Sequence, residues 1–284
     1  MTEERHGFVR VGVSACLLGE RVRWDGGHKR DAFLADILGP LVEWVAVCPE
    51  VEIGLGTPRE PIRLVSHGTG APRLMAQTSG ADLTRRMERF AETKARELAA
   101  LALDGYVLKR ASPSCGLFEV PIHGEDGEPR HSGRGVYAAL LARRLPTLPM
   151  EEEGRLLDEA IREHFIERVF TAARWRRFVA RAPRPPDLAA FHAAHTLILR
   201  AHSAPHEASL VRLVAGARRT VTRRLLAEYG RLLMEAVAVR APRAGFLQDV
   251  AGAVGKDLER EGTAQLRAVI EDYRTMARVL RAAG

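Results

Sequence analysis

Cysteine is scarce in this chain, and none of it is paired in a C-x-x-C motif. The 284 residues include three cysteines, Cys16, Cys48 and Cys115. Such a small, odd number argues against a disulfide framework and fits a reducing compartment. Structural zinc sites usually take four ligands, often from paired C-x-x-C knuckles, so the missing pairs also argue against a structural zinc site.

Long apolar runs are missing as well, and we expect no secretory leader. No segment approaches the 18 uninterrupted apolar residues of a membrane-spanning helix. Residues 1–10 are polar and charged, and they continue directly into a strand-like stretch. We therefore expect a cytoplasmic protein without a membrane partner. The apolar content of 46% and charged content of 28% are those of an ordinary globular protein.

Acidic residues are depleted in the second half. Residues 1–149 carry 20 Lys and Arg against 19 Asp and Glu, whereas residues 150–284 carry 23 against 17. The net charge of +7 is therefore +1 in the first half and +6 in the second, where almost all of the basic residues are arginine. The planar guanidinium suits phosphate recognition, although arginine usage can also reflect a GC-rich or thermophilic source.

The first half alternates short apolar runs with amphipathic segments, as α/β domains do. Predicted strands cover residues 8–14, 42–47 and 105–109, a predicted hairpin pairs 62–65 with 73–76, and predicted helices cover 31–38, 82–103 (with Asp82 as N-cap) and 136–143. From Gly154 onward the pattern is almost entirely helical. The sequence predicts an α/β N-terminal domain with a mostly parallel, Rossmann-like sheet, followed by an all-α domain.

The predicted domain boundaries follow these changes of pattern. We expect a catalytic domain at residues 1–150, a helical connector at 151–186 and a helical domain at 187–284. The segment 183–186 (PRPP) is typical of a linker or a stiff turn.

Each cysteine comes just after a predicted strand. Because parallel strands end at one edge of a sheet, we expect Cys16, Cys48 and Cys115 to be neighbours there. The residues alone leave several interpretations open. Three cysteines on a 4Fe–4S cluster would leave one iron as an open Lewis acid; a catalytic zinc with a bound water, a cysteine nucleophile and three buried, inert cysteines are the alternatives.

Several motifs occur together and resemble those of the thiouracil desulfurase family over about residues 8–150. They are SACLLG at 14–19, WDGGHK at 24–29, CPE at 48–50, TPR at 57–59, Lys109 and SPSCG at 112–116. The resemblance implies a 4Fe–4S cluster with three cysteine ligands and one open iron. It also implies a non-redox hydrolysis in which the open iron binds the sulfur of a thiolated pyrimidine, a thiocarbonyl becomes a carbonyl, and sulfide leaves by way of the cluster.

Two polar residues close to the cysteines are candidates for catalysis. Glu50 lies two residues after Cys48 and matches the acidic position of the family, so we expect it to activate water as a general base. The alternative for Glu50 is a solvated loop carboxylate. Ser112 is expected to orient the water or to bind the pyrimidine. Ser114 is a weaker substrate-binding candidate, since it could merely cap a turn.

The remaining candidates for substrate binding are Asp25, His28, Lys29 and Arg59. Asp25 precedes two glycines, so a turn explains it equally well. His28 and Lys29 could approach a base or a phosphate, but such residues are usually solvated. Gly133 and Gly135 precede a predicted helix, and a tight entry into that helix explains them as well as a phosphate site does.

Histidines mark the helical half. His192, His195 and His202 fall on one stripe of a predicted helix, but the last two lie too far apart for one metal ion, which favours a polar or phosphate-binding face. This region resembles a helical domain family known chiefly as an attachment to desulfurase-like domains. Thr196 departs from that family, where a lysine is expected. Fusions of the two domains resemble enzymes that remove sulfur from 4-thiouridine in tRNA.

The arginine-rich helices are the candidate tRNA-binding surface. Six arginines and no acidic residue lie between Arg168 and Pro186, with Trp175 and Phe178 among them. Predicted RNA contacts are Arg174, Arg176, Arg177, Arg181, His192, His195, Arg218 and Arg219. The alternative is that arginines at helical spacing simply solvate one face.

Three functions follow from these readings. The first is an iron–sulfur desulfurase that converts 4-thiouridine in tRNA to uridine. The second is a desulfurase of free thiouracil or thiolated nucleotides, in which the helical domain only dimerises or caps the site. The third is a non-catalytic iron–sulfur sensor that binds RNA.

Overall fold

A parallel sheet of four short strands forms the centre of the first half. The computed structural model describes residues 9–66, 70–124, 129–217 and 220–240. In this sheet the order is β2 (Val42–Val47), β1 (Val9–Ser14), β5 (Gly105–Leu108) and β8 (Met150–Glu152). Val13 lies opposite Val107, and Val107 lies opposite Glu151. Because the sheet is parallel throughout, all four strands end at the same edge, as the fold class predicts.

A second sheet contains the predicted hairpin. Its order is β4 (Arg73–Ala76), β3 (Ile62–Val65), β6 (Val120–His123) and β7 (Pro129–Gly133). β3 and β4 pair antiparallel, with Leu64 opposite Leu74, which confirms the hairpin; the residues 67–69 of its predicted turn lie outside the described residues. β6 pairs parallel with β3 and antiparallel with β7. β6 and β7 were not predicted, because they are short and contain Pro121 and Pro129.

Helices pack against these sheets. They are α1 (Pro49–Glu52), α2 (Thr84–Leu101) and α3 (Val136–Arg144). α2 begins later than predicted: Leu83 is its N-cap, and Asp82 instead accepts a hydrogen bond from the Thr84 N–H at 2.9 Å. The helix predicted over 31–38 is a π-helical turn, Phe33–Leu38. It runs into a 3-10 turn, Gly39–Leu41, in which Pro40 cannot donate a helical hydrogen bond.

One apolar core joins the two sheets. Leu64 and Leu74 of the second sheet pack in the same cluster as Tyr106 and Leu108 of the parallel sheet, together with Met87 of α2. α2 contributes because its apolar residues recur at helical spacing. The core therefore holds the carboxyl edge of the parallel sheet close to the loops of the second sheet.

The described part of the second half is helical, as predicted. It contains α4 (Glu159–Ala180), α5 (Pro185–Gly216) and α6 (Arg223–Ala238). α5 is kinked at Ser203, whose φ of −160° and ψ of 97° are not helical. Pro205, which follows, lacks the N–H that a continuous helix needs. An aromatic core that includes Phe178, Phe191 and Tyr229 holds these helices together.

The chain divides into two compact units. One unit comprises Arg10–Leu157, and the described residues from Asp158 onward belong to the other. The predicted connector, residues 151–186, is therefore divided between them: β8 and a 3-10 turn, Arg155–Leu157, complete the first unit, and α4 begins the second. Pro185 and Pro186 form the first turn of α5, where proline is well tolerated.

Among the described residues, no helix combines the length and apolar character needed to span a bilayer.

Candidate active site

The three cysteines line one cavity at the carboxyl edge of the parallel sheet. Cys16 lies in a 3-10 turn, Ala15–Leu18, that follows β1; Cys48 directly follows β2; and Cys115 lies in the loop after β5. All three thiols are free, and together they line a cavity of about 480 Å³. The three cysteines therefore lie at one site, as expected for residues that follow parallel strands.

Burial and repulsion by nearby negative charges raise the pKa values of these thiols. Burial, followed by the charge of Cys48, raises the pKa of Cys16 to about 11. Burial, Glu50 and Cys48 raise the pKa of Cys115 well above its ordinary value, and burial is the main cause of the raised pKa of Cys48. A bound cationic centre removes this penalty, because it stabilises thiolates directly. Three soft donors around one cavity thus fit an iron–sulfur cluster.

Within the described ranges, no three Cys, His, Asp or Glu side chains converge as ligands of a single metal ion. Ligands of one ion must all approach it to about 2.0–2.3 Å, whereas cysteines that each bind a different iron of a cluster stand further apart. A cluster can therefore be held by cysteines that line one cavity without meeting at a single ion.

The Cys115 loop is a tight turn held by Ser112. The Ser112 Oγ accepts hydrogen bonds from the N–H groups of Ser114 at 3.2 Å and Cys115 at 3.0 Å. This leaves the Ser112 hydroxyl hydrogen available for a ligand, and Ser112 lines the cavity. Ser114 does not line it: the residue is fully buried, and the structure shows no hydrogen-bond partner for its Oγ among the described residues.

The start of α3 packs directly on this loop. The Gly135 N–H donates to Gly116 O at 2.7 Å, and the Ala138 N–H donates to Ser114 O at 3.1 Å. A Cβ at Gly135 would lie 2.3 Å from Ser114 O and 2.8 Å from Cys115 N. The Gly133-x-Gly135 pattern therefore provides a tight entry into α3.

Glu50 and Arg59 form a buried ion pair in the cavity wall. The Arg59 Nε and Nη2 donate to Glu50 Oε2 at 3.1 and 2.5 Å, and the side chains are 5% (Arg59) and 13% (Glu50) exposed. The Arg59 Nη1 donates to the carbonyls of Val22 and Gly56, both at 2.9 Å. The guanidinium of Arg59 therefore donates its hydrogen bonds to groups of the protein. It was predicted to bind substrate, but its contacts are those of a residue that positions Glu50.

A second ion pair, Lys109–Glu153, lies beside Cys16. The Lys109 Nζ donates to Glu153 Oε1, and the other oxygen of that carboxylate accepts from the Arg110 N–H at 2.8 Å. The charge of Lys109 lowers the pKa of Cys16, against the larger effect of burial. Lys109 was part of a predicted motif, but its partner Glu153 was missed. The sequence could have indicated Glu153 through the run of three glutamates at the end of β8, because residues there lie at the same sheet edge as the cysteines.

Glu152 and Ser14 also support the site and were missed. The Glu152 Oε1 accepts hydrogen bonds from the N–H groups of Leu117 at 2.6 Å and Phe118 at 3.1 Å, just beyond Cys115. Burial raises the pKa of Glu152. The Ser14 Oγ accepts from the Lys109 N–H at 3.0 Å and also hydrogen-bonds the Cys115 thiol. These contacts tie the β1, β5 and β8 ends together.

Comparison with known proteins agrees with this arrangement. Residues 11–153 match the model of the 2-thiouracil desulfurase family. The chain belongs to that family. Residues 197–282 match a second family, described only as a protein of unknown function (DUF1722), so the desulfurase domain is followed by a separate helical region.

Two relatives of this family member each match about half of the chain. An uncharacterized protein of Bacillus subtilis (strain 168), YbbK, is 36% identical over 137 residues, which are 45% of this chain and 87% of YbbK. A solved structure, described as the [4Fe-4S]-dependent thiouracil desulfidase TudS, is 35% identical with a TM-score of 0.42, and the match covers 52% of this chain and 92% of that one.

Three further predicted substrate-binding residues, like Ser114, do not line the cavity. The Asp25 Oδ1 accepts from the Gly27 N–H at 3.0 Å, and this hydrogen bond is the main cause of its lowered pKa. The His28 Nδ1 accepts from the Arg30 N–H at 3.2 Å, and Lys29 is exposed outside the lining. Asp25 and His28 thus shape the loop that brings Arg23 and Trp24 to the cavity, and these two residues were missed.

Three predicted RNA contacts lie inside the helical unit. The Arg174 Nε donates to the His195 Nε2 at 3.2 Å, and His195 Nδ1 pairs with Phe191 O at 2.7 Å. His192 Nδ1 lies 3.1 Å from the Tyr229 hydroxyl. Arg174, His192 and His195 are at most 8% exposed, so as placed they cannot reach an RNA backbone. Their role is internal packing and hydrogen bonding.

The other RNA candidates have different surroundings. Arg181 is exposed, and Arg176 and Arg177 are half-buried. Arg218 and Arg219 lie outside the described residues. Arg176, Arg177 and Arg181 therefore stay predictions for the tRNA-binding surface.

Proposed function

We propose that this family member is an iron–sulfur desulfurase that converts 4-thiouridine in tRNA to uridine. The observation that carries the proposal is the convergence of three free thiols, the Glu50–Arg59 pair and Ser112 on one cavity. A thiolated pyrimidine needs a group that accepts its sulfur and a base that activates water. The cavity offers candidates for both.

Cys16, Cys48 and Cys115 would hold the 4Fe–4S cluster. When bound by three thiolates, a cluster supplies an iron without a protein ligand, which can accept the thiocarbonyl sulfur as a Lewis acid. Lys109 lies close enough to act on the charge of Cys16. Its ammonium would offset part of the negative charge of the thiolates.

Glu50 would activate the attacking water. Its Oε2 is held by Arg59, and the described residues provide no hydrogen bond to its Oε1, which can therefore accept a proton from water. The water oxygen adds to the carbon that carries the sulfur while Glu50 takes one of its protons. The C–S bond then breaks, and the departing sulfur takes both the proton held by Glu50 and the proton of the added hydroxyl, which leaves a carbonyl. The balance is thiocarbonyl plus water to carbonyl plus hydrogen sulfide, with no change of oxidation state.

Ser112 would orient the reactants. Its oxygen already accepts two backbone hydrogen bonds, and its hydroxyl hydrogen is left to be donated to the pyrimidine or to the water. A donor at this position stabilises negative charge that develops as water adds.

The second unit supports tRNA as the substrate. It carries the charge excess of the chain, and Arg181 is exposed at the end of α4. Exposed arginines near phosphates add affinity that does not depend on sequence. The DUF1722 match assigns residues 197–282 of this unit to a family other than that of the cavity-bearing domain, which fits a division between RNA binding and chemistry.

Sulfide release tests the proposal directly. Holoenzyme is incubated without oxygen with tRNA that contains 4-thiouridine, with 4-thiouridine monophosphate and with 4-thiouracil. We expect sulfide and uridine from the tRNA, with a kcat/KM well above that of the free base. Equal or lower kcat/KM with tRNA would overturn the substrate assignment, and no sulfide from any of the three would overturn the activity.

A second candidate is a desulfurase of free thiouracil or thiolated nucleotides. The burial of Arg174, His192 and His195 favours it, because three predicted RNA contacts are used for packing within the helical unit. In this case the same assay gives its highest kcat/KM with the small substrates.

A further inference from the structure

An exposed tryptophan lines the cavity of the three cysteines. Trp24 is 45% exposed and belongs to the cavity wall. The other two tryptophans differ: Trp44 is half-buried outside the lining, and Trp175 stacks on Tyr229 at a centroid distance of 4.8 Å in the helical unit. A large aromatic surface left open beside a functional cavity is typical of a ligand-binding position.

The backbone holds Trp24 in this place. Its carbonyl accepts the Arg59 N–H at 2.9 Å, next to the Glu50 pair. On either side, the Arg23 N–H donates to Gly27 O at 3.2 Å, and the Gly26 N–H donates to Arg23 O at 3.0 Å. Gly26 has a φ of +74°, which a glycine adopts without strain. Trp24 is therefore presented by a closed turn that is tied to the catalytic pair.

The rest of the cavity lacks another aromatic surface for a flat ring. Its polar side chains include Glu50, Arg59 and Lys109. Glu50 pairs with Arg59, and Lys109 pairs with a carboxylate of the protein. Among the lining residues Trp24 is the one aromatic side chain. A pyrimidine whose thiocarbonyl edge faces the cysteines and Glu50 still has two apolar faces, and an indole provides the matching surface.

We propose that Trp24 stacks on the pyrimidine ring of the substrate and thereby selects an unstacked base. The inference rests on the proposed desulfurase function and adds the residue that recognises the ring. A base inside RNA is stacked on its neighbours, so it must turn out of the stack to enter a cavity of about 480 Å³. Trp24 then replaces part of the stacking energy that the base has lost.

Three variants of the holoenzyme test this role. Base–aromatic stacking is worth about 1–3 kcal/mol by alanine substitution, or roughly five- to a hundredfold in affinity. We expect W24A to raise the KM for 4-thiouracil and the Ki of the competing product uracil by that factor, with a much smaller change in kcat. W24F, which keeps an aromatic face, recovers most of the loss. The matched control W44A removes a tryptophan outside the cavity and leaves both constants unchanged.

Two further measurements separate binding from folding and from the proposed function. Iron content per chain should be the same in W24A and the wild type, which excludes collapse of the site. In the Glu50→Ala holoenzyme, near-ultraviolet irradiation of bound 4-thiouridine should cross-link it to the peptide that contains Trp24. If the wild type releases sulfide but W24A keeps the wild-type KM and Ki, stacking is refuted while the activity stands. If the wild type releases no sulfide, the proposed function itself fails.

Discussion

Two ion pairs involve charged side chains of the cavity wall. Glu50 faces Arg59, and Lys109 faces Glu153, with all four side chains at most 16% exposed. Buried charges are tolerated when they are paired and hydrogen-bonded. The pairs fix the positions of both carboxylates relative to the cysteines. Arg59 has the contacts of a positioning residue, and the described residues provide no hydrogen bond to the second oxygen of Glu50.

Glu50→Gln tests the general base. The amide keeps the shape of the side chain but cannot take a proton from water, so we expect kcat to fall by about 10²- to 10⁴-fold. Iron content should not change, because no cysteine is affected. The measurement is sulfide release under saturating thiolated substrate, together with iron per chain.

Glu52→Gln is the matched control, since Glu52 lies in the same short helix but pairs with Lys94 at 2.8 Å outside the cavity wall. Its kcat should stay at the wild-type value. A Glu50→Gln enzyme with wild-type turnover would remove Glu50 from the mechanism.

At the scale of elements, the start of α3 sets the position of the third cysteine. Gly135 brings the helix so close to the Cys115 loop that backbone groups of the two elements hydrogen-bond directly. The sequence pattern of two glycines before a helix indicated a tight entry. The pattern could not identify the Cys115 loop as the element against which the helix packs, because that contact joins residues distant in the chain.

Gly135→Ala should disturb this contact. The added Cβ would lie 2.3 Å from Ser114 O, and the clash is with backbone that cannot rotate away. We expect a loss of about 1–3 kcal/mol of stability and a lower iron content, measured by thermal unfolding and iron analysis. Gly216→Ala, at the end of α5, has nothing within 4 Å of the new Cβ and should retain iron; equal iron in the two variants would contradict the role of the α3 start.

α5 carries three buried histidines, and the pKa values of two of them, His195 and His202, are shifted in opposite directions. Burial lowers the pKa of His195 to about 3. For His202, burial acts in the same direction, but the hydrogen bond and charge of Glu167 outweigh it, so its pKa is raised. A lowered histidine pKa destabilises the fold as pH falls below the unfolded value of 6.5, whereas a raised one loses its stabilising effect as pH rises through the folded value.

The pH dependence of unfolding tests the His195 environment. From its pKa we expect His195 to account for about 2 kcal/mol of lost stability between pH 7 and pH 5. His195→Gln removes the titrating group, so its melting temperature should fall less over this range than that of the wild type. His206→Gln, on the same helix with a side chain that is 31% exposed, should keep the wild-type dependence; an unchanged slope in His195→Gln would contradict the buried, neutral ring.

The elements differ in how far the sequence could predict them. β1, β2 and β5 and the cysteines after them were predictable, because apolar runs and strand-end loops are local signals. β6, β7 and β8 were not, since they are short and draw their stability from pairing with distant strands. The partners Glu152 and Glu153 were missed for the same reason. Trp24 stood in a recognised motif, but only the fold shows that it lines the cavity.

On the scale of the whole molecule, charge separates the two halves. The first 149 residues are nearly neutral, and the rest carry most of the net charge. Composition predicted this difference, but it could not tell surface arginines from buried ones. Arg174 is enclosed by Thr171 and His195, whereas Arg181 is exposed. Helical spacing alone predicts similar exposure for these two arginines. Tertiary packing determines which of them is buried.

Charge reversal at Arg181 tests the tRNA-binding role of the helical unit. If Arg181 contacts a phosphate, Arg181→Glu should raise the KM for thiolated tRNA severalfold and reduce its salt dependence by about one unit of slope. Turnover of free 4-thiouracil should not change. Arg231→Glu is the control, because Arg231 is already paired with Glu228 and Glu235. Equal effects of the two reversals on tRNA would count against a phosphate contact at Arg181.

The central claim is that three cysteines hold one cluster in the cavity, and metal analysis of anaerobically purified protein tests it most directly. We predict about four iron and four acid-labile sulfide per chain, and the loss of both in each of Cys16→Ser, Cys48→Ser and Cys115→Ser. One zinc per chain, or sulfide release from thiolated substrate by an iron-free chain, would contradict the account.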